Sequence, residues 1–188
     1  MFREKEKILC VDVEMTCWES GAPPEGQRAE IIQIGYCLLN TATLEVEDKN
    51  ALYVKPRFSE VSKFCTELTG ITPKQAKSGM LLSSACKNLI RKSGSRRYAW
   101  AGWGDERESF LEEANQGEIE YPFNEQFLDI SAMATLLLDM PIRMSLDKAI
   151  AAFDMKFIGR RHDGADDAYN QARILAKIMK CTRSGFKS

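Results

Sequence analysis

The stretch KILCVDVEM (residues 7–15) is apolar and rich in β-branched side chains, a pattern typical of a buried strand, yet Asp12 and Glu14 interrupt it. Because residues i and i+2 of a strand point to the same face, the two carboxylates project together, about 7 Å apart along the chain. Two such groups on one half-buried face repel each other and lose hydration. A bound metal ion removes both costs. The stretch therefore indicates a metal site, with a solvated strand end as the alternative.

Alternating strand and helix patterns follow this first stretch. The strand patterns are EIIQIGYCLL (30–39), ALYVKP (51–56), RRYAWAGW (96–103) and QFLDI (126–130), with TATLEVEDK (41–49) between the first two. The helical patterns are TPKQAK (72–77), SSACKNLIRK (83–92), a segment from about 105, SAMATLLL (131–138), SLDKAIAAF (145–153) and ADDAYNQARILAKIMK (165–180). Short connections in the first half predict an antiparallel meander. The order predicts an α/β fold with a mixed sheet flanked by helices.

The bulk composition narrows the class of protein. A chain of 188 residues fits one domain, 1–188. Its net charge of −1 gives no electrostatic sign of a nucleic-acid partner and excludes none. Six cysteines without a C-x-x-C pair argue against a zinc ribbon, and a charged start, MFREKEK, lacks a secretory signal. We therefore expect reduced thiols and a cytoplasmic location. No apolar run approaches the ~20 residues of a membrane span, so no membrane partner is expected.

A second group of candidate functional side chains lies in GRRHDGADDAYNQARIL (159–175), which contains His162, the one histidine of the chain. Asp163 or Gly164 can start the helix. Its buried stripe consists of Ala168, Ala172, Leu175 and Met179. This stripe places Asp167 on its flank, facing the protein, and leaves Asp166 solvated beside Asn170 and Arg173. The alternative is that both acids only complement the helix dipole and that His162 is a surface residue.

A third group occurs in AWAGWGDERESFLEEA (99–114), where a strand runs into a helix that starts with several acids. Asp105 with Glu108 matches the capping-box pattern of an acid or hydroxyl followed three residues later by Glu. A capping role alone is therefore the alternative to metal binding for these acids.

Taken together, these residues resemble the DEDDh family of 3′-to-5′ exonucleases. The shared order is D-x-E on the first strand, an Asp after a later strand, and H-x-x-x-x-D near the C-terminus. The five-residue step from His162 selects Asp167, in agreement with the helical periodicity. The chain is most similar to the subfamily that trims histone mRNA 3′ ends and degrades small RNAs. That similarity is carried by DVEMTCWE (12–19), EIIQIGYCLLNTATLEVEDK (30–49) and FCTELTGIT (64–72), and it extends over about residues 7–180.

The resemblance implies an RNase H-like mixed five-stranded sheet and two divalent cations, Mg²⁺ or Mn²⁺. The implied ligands are Asp12, Glu14, Asp105 and Asp167. His162 is the implied general base, since histidine is the side chain that changes charge closest to neutral pH. One departure leaves the third ligand open. In that subfamily a Phe or Leu follows the metal-binding Asp by four residues, whereas here Glu106, not Asp105, stands four before Phe110.

The implied substrate is the single-stranded 3′ end of a nucleic acid, with RNA favoured over DNA and nucleoside 5′-monophosphates as products. The residues expected to contact it are Met15, Thr16, Phe64, Leu68 and Trp103, by base stacking or by contact with the terminal sugar. Core packing is the alternative for the large ones. A DNA-trimming or proofreading exonuclease of the same fold, and a non-catalytic nucleic-acid-binding module, are the rival functions. The sequence predicts no oligomeric state.

Overall fold

A computed structural model describes residues 7–185, and its centre is a five-stranded sheet in the order β3-β2-β1-β4-β5. The strands are β1 (Lys7–Met15), β2 (Ile31–Asn40), β3 (Val46–Tyr53), β4 (Ala99–Gly102) and β5 (Phe127–Asp129). The helices are α1 (Lys63–Thr69), α2 (Pro73–Ser78), α3 (Leu82–Ser93), α4 (Glu106–Asn115), α5 (Ile130–Leu137), α6 (Leu146–Ala152) and α7 (Gly164–Gly185).

The strand directions confirm the predicted mixed sheet. β1 pairs with β2 and β2 with β3 in antiparallel fashion, while β4 lies parallel to both β1 and β5. The third strand begins at Val46 rather than at 51, because a tight turn after Asn40 brings Val46 opposite Leu39. The Asn40 side chain stabilises this turn by accepting hydrogen bonds from the N–H groups of residues 42 and 43.

The alternation of β1 divides the core between the two faces of the sheet. Ile8 and Cys10 pack towards α5 and α7, whereas Leu9 and Val11 pack towards α3 and α4. Asp12 and Glu14 continue the even-numbered series. The two acids therefore project on the face that α7 covers.

The helix ends agree with the sequence patterns in part. Thr72 caps α2 in a complete capping box with Gln75. The capping box, given as the alternative role of Asp105, is not formed, because the Asp105 side chain makes no capping bond within the described part of the chain. Helix α1 was not predicted from the sequence. Ser62 is its N-cap and Gly70 its C-cap.

Six cysteines, all within residues 7–185, are free thiols. The cytoplasmic location and the assignment of residues 1–188 to one exonuclease domain stay predictions. Over the same range the structure contains no helix that is both long and apolar enough to span a membrane.

Candidate active site

The end of β1 lies against the start of α7. Asp12 stands opposite Gly35 of β2 in the sheet register. Gly35 has no side chain, and a Cβ at this position would overlap the backbone of Gly164. The approach is stabilised by a hydrogen bond from the Gly164 N–H to Gln33 Oε1 at 2.7 Å. The first turn of α7 is therefore held beside Asp12 and Glu14.

Asp167 lies in this first turn and is only 8% exposed, so it faces the protein as the helical periodicity predicts. One ligand atom from each of Glu14, His162 and Asp167 lies within 4.8 Å of the others. Glu14 thus meets His162 and Asp167, which follow it by 148 and 153 positions in the sequence. The spacing suits a shared cation.

Asp166 points away from this cluster. The sequence places it beside Asn170 or Arg173, but its carboxylate binds Lys49 instead and accepts a hydrogen bond from the Arg160 N–H at 2.7 Å. The partners differ because β3 and the loop before α7 reach this side of the helix, which helical spacing alone does not reveal. Asp166 therefore supports the loop rather than the acid cluster.

Burial and mutual repulsion raise the pKa of the clustered acids. Burial raises the pKa of Asp12 well above its usual value, and the charges of Glu106, Asp167 and Glu14 add to the effect in that order. Burial, followed by the charge of Asp167, raises the pKa of Glu14 to about 8. Burial raises the pKa of Asp167 to about 7. Carboxylate oxygens are the hard ligands that divalent cations prefer, and a bound cation offsets the repulsion between the anions. These residues therefore fit a divalent cation.

Asp105 and Glu106, the two alternatives for the third carboxylate, point in different directions. The Asp105 side chain is 90% exposed, and its Oδ1 pairs with Arg143 Nη1 at 2.9 Å. Glu106 is 6% exposed and accepts hydrogen bonds from the N–H groups of residues 103 and 104. After burial, Glu106 is also the largest influence that raises the pKa of Asp12. The structure therefore brings Glu106, and not Asp105, towards the other acids.

Gln171 is a member of the cluster that the sequence reading missed. It is 1% exposed, and its Nε2 donates a hydrogen bond to Asp12 Oδ1 at 2.7 Å. Its Oε1 is buried without a hydrogen-bond partner among the described residues. The spacing of four residues from Asp167 places both on one face of α7, which is the signal that could have identified it. Gln171 thus orients Asp12 through its Nε2, and its Oε1 remains a free hydrogen-bond acceptor among the described residues.

His162 lies on the loop that precedes α7, in an exposed, left-handed backbone conformation with φ 57°. It lines a cleft of about 200 Å³ together with Asp12, Asp167 and Gln171. The Asp167 carboxylate also accepts the His162 backbone N–H, an interaction that lowers the Asp167 pKa against the larger effect of burial. The imidazole is therefore at the entrance to the acid cluster, where solvent and a substrate both have access.

The predicted base-stacking residues lie on two elements. Phe64 and Leu68 are four residues apart on α1, and Phe64 is 37% exposed. Trp103 is half-buried, and its Nε1 donates to the Met144 carbonyl at 2.9 Å. Part of the Trp103 ring is thus committed to packing within the protein. The substrate roles of all three stay predictions.

Thr16 and Met15 lie just beyond Asp12 and Glu14 in the sequence. The Thr16 hydroxyl donates to the Arg28 carbonyl at 3.2 Å and accepts from the Glu30 N–H at 3.0 Å. Met15 is half-buried at an irregularity in the β1–β2 register. The hydroxyl of Thr16 is thus already paired within the protein, and the contacts predicted from both residues to a terminal sugar stay predictions.

Comparison with known proteins identifies relatives of this chain. The sequence model of a family described as "Exonuclease" matches residues 9–93. The 3′-5′ exonuclease Snipper of Drosophila melanogaster is 32% identical over 92% of this chain and 69% of its own length. Human 3′-5′ exoribonuclease 1 is also 32% identical, over 92% of this chain and 52% of its own length. The chain thus spans about half of the human relative.

Comparison with a solved structure shows that the similarity extends to the fold. The nuclease domain of 3′hExo, described as a DEDDh family member bound to rAMP, superposes with a TM-score of 0.84 at 30% identity. The superposition covers 94% of this chain and 93% of that domain. The fold and the sequence similarity thus extend together over nearly the whole chain, and the chain belongs to the DEDDh family of 3′-to-5′ exonucleases.

Proposed function

We propose that the chain removes nucleoside 5′-monophosphates one at a time from the single-stranded 3′ end of RNA, with Mg²⁺ or Mn²⁺. The observation that carries the proposal is the meeting of Glu14, His162 and Asp167 within 4.8 Å of one another, with Asp12 lining the same cleft as His162 and Asp167. Glu106 is near enough for its charge to raise the Asp12 pKa. Without a cation, carboxylates that are removed from water and repel one another cost stability. Such a cluster serves a hydrolytic reaction that needs divalent cations.

The residues that would hold two cations are the four clustered acids. Asp12 is the central one, because the charges of the other three all act on it. Bound cations stabilise the charge on the attacking and leaving oxygens of the phosphodiester. Gln171 keeps Asp12 in one orientation, so the ligand is preorganised before a cation binds.

His162 supplies the general base. An unprotonated imidazole nitrogen accepts a proton from the water that attacks the phosphorus, and the leaving 3′-oxygen departs with the shortened strand. The exposed loop lets the imidazole meet this water at the entrance of the cleft.

RNA is the substrate favoured here for two reasons. The human relative is named an exoribonuclease, and the superposed nuclease domain was solved with rAMP. The exposed ring of Phe64 with Leu68 one helical turn away offers an apolar surface on which a terminal base of RNA or DNA can stack, so it does not separate the two. A DNA-trimming enzyme of the same fold would use the same acids, so only the substrate comparison separates the two.

The test is incubation with a 5′-labelled single-stranded RNA and Mg²⁺ or Mn²⁺, beside a DNA oligomer of matched sequence. We expect a ladder that shortens from the 3′ end, is abolished by EDTA, and is faster on RNA. His162→Ala is expected to lower kcat by at least about 100-fold, the usual contribution of a general base. Arg91→Ala on α3, whose side chain bonds only Asn88 among the contacts described for residues 7–185, is the control. Internal cuts would contradict the proposal, and binding without cleavage would indicate a non-catalytic module.

A paired substitution tests the third carboxylate. We propose Glu106 rather than Asp105 as the metal-facing acid, because Glu106 is buried with the cluster and Asp105 is paired with Arg143. Glu106→Gln is expected to lower activity by about 100-fold or more, whereas Asp105→Asn costs less than about tenfold. Initial rates over a range of Mn²⁺ concentrations measure both. A larger loss in Asp105→Asn than in Glu106→Gln would restore Asp105 as the ligand.

A further inference from the structure

The side chain of Arg160 binds the end of helix α1. Its Nη1 donates to the Thr69 carbonyl, and its Nη2 donates to the carbonyls of Leu68 at 3.1 Å and Glu67 at 3.4 Å. The last carbonyls of a helix have no partner within the helix, and a cation at this end also opposes the helix dipole. A single guanidinium thus stabilises the C-terminus of the helix that carries Phe64 and Leu68.

Gly70 provides the room for this contact. It ends α1 in the left-handed conformation with φ +74°. A Cβ at Gly70 would overlap the guanidinium of Arg160. Any residue other than glycine at this position would therefore displace the Arg160 side chain as well as strain the backbone.

The backbone of Arg160 is fixed on the opposite side. Its N–H donates to Asp166 Oδ2 at 2.7 Å, and Asp166 is itself paired with Lys49 of β3. Arg160 stands two residues before His162. The loop is thus attached at its main chain to α7 and at its side chain to α1.

Arg160 also lies close to the acid cluster. Its positive charge lowers the Glu14 pKa, although burial and neighbouring acids raise that pKa by more. Two roles for Arg160 are therefore distinguishable in principle. A charge effect on Glu14 needs only a cation, whereas the contact with three carbonyls needs the planar fork of a guanidinium.

We propose that Arg160 is a positioning residue that couples α1, the helix expected to hold the terminal nucleotide, to the loop that carries His162. A nucleotide that binds against Phe64 and Leu68 shifts α1. The contacts of the Arg160 guanidinium with α1 then shift the His162 loop in turn. Correct placement of the 3′ end and correct placement of the base thus depend on one side chain. This inference rests on the proposed function.

The first test compares Arg160→Lys with Arg160→Ala on the single-stranded RNA substrate. Both are expected to lower kcat by about 10- to 100-fold, the scale of a misplaced catalytic group, with a smaller change in KM. Lysine keeps the charge near Glu14 but cannot bind three carbonyls in one plane. Full activity in Arg160→Lys would show that only the charge matters and would overturn the proposal.

A second variant disrupts the contact between the Arg160 guanidinium and the end of α1 without changing Arg160. Gly70→Ala is expected to reproduce the loss in kcat, because the added methyl displaces the guanidinium. Gly94→Ala is its matched control, since Gly94 ends α3 in the same left-handed conformation, with φ +69°, away from Arg160. Equal kcat losses in the two glycine variants would assign the effect to backbone strain and contradict the proposal.

A double-mutant cycle tests the coupling itself. If Arg160 acts through α1, Arg160→Ala and Leu68→Ala should be non-additive in kcat/KM, so that the second substitution costs less than it does alone. Strictly multiplicative losses would exclude the coupling.

Amide hydrogen exchange gives a readout that needs no activity. Arg160→Ala is expected to accelerate exchange both in the loop 159–163 and in the last turn of α1, while Arg91→Ala changes neither. Faster exchange in the loop alone would overturn the coupling. An inactive parent protein with this exchange pattern would instead refute the proposed function and leave the mechanical connection intact.

Discussion

Asp12→Asn is expected to abolish exonuclease activity and, in the metal-free protein, to raise stability. The activity is lost because Asp12 is the carboxylate on which the other three acids act, so its loss removes the central ligand. We expect a fall of about 10³-fold or more, as for a preorganised charge at the reacting centre. Stability rises because an amide of the same shape carries no charge to bury or repel.

Two measurements on one preparation check this prediction. Rates on labelled RNA are compared with Tm in EDTA, where Asp12→Asn should melt about 3–6 °C above the parent, from 1–2 kcal/mol in a chain of this size. Asp154→Asn, an exposed acid after α6, is the control and should change neither quantity. A metal-free Asp12→Asn protein that melts below the parent would show that Asp12 is not strained by its neighbours.

The second large effect is a dependence of metal-free stability on pH. Burial first, and neighbouring charges after it, raise the folded pKa of Glu14 from 4.5 to about 8; burial above all raises that of Asp167 from 3.8 to about 7. A raised folded pKa contributes stability below the unfolded pKa, and this contribution is lost as pH rises through the folded pKa. Metal-free stability should therefore fall between about pH 4 and pH 8, by an amount on the order of a few kcal/mol.

Thermal melts in EDTA and in Mn²⁺ at several pH values measure this dependence. The Tm in EDTA should drop by about 10 °C across the window, and Mn²⁺ should restore most of the loss at pH 8 but little at pH 5, where protons compete for the carboxylates. Glu14→Gln should flatten the curve in EDTA. A Tm in EDTA that rises from pH 5 to pH 8 would contradict the assignment of these acids to one repulsive cluster.

Local periodicity alone identified much of the site. The i, i+2 spacing of Asp12 and Glu14 placed both on one face of β1, and the structure has them there. The helical spacing around Asp167 predicted an inward acid, which the structure confirms. The resemblance to the DEDDh family then linked His162 to these residues.

Other features depend on contacts between distant segments. Asp105 is exposed and pairs with Arg143, 38 residues away, whereas Glu106 is buried. Similarly, Gln171 binds Asp12 across 159 residues of sequence. Neither the pairing of Asp105 with Arg143 nor the hydrogen bond from Gln171 to Asp12 follows from the spacing within one helix or strand.

The sequence by itself determined which face of each element carries acids, because a strand repeats every two residues and a helix every 3.6. It also indicated the family, by resemblance, and a mixed sheet with an antiparallel first half, whereas the order of the strands came from the structure. Only the tertiary structure decided which acid completes the cluster, which glutamine orients it, and which arginine joins α1 to the His162 loop. The approach of α7 to the sheet, which brings Gln171 to Asp12, requires the close contact of Gly35 with Gly164, and no local pattern in the sequence reveals that contact.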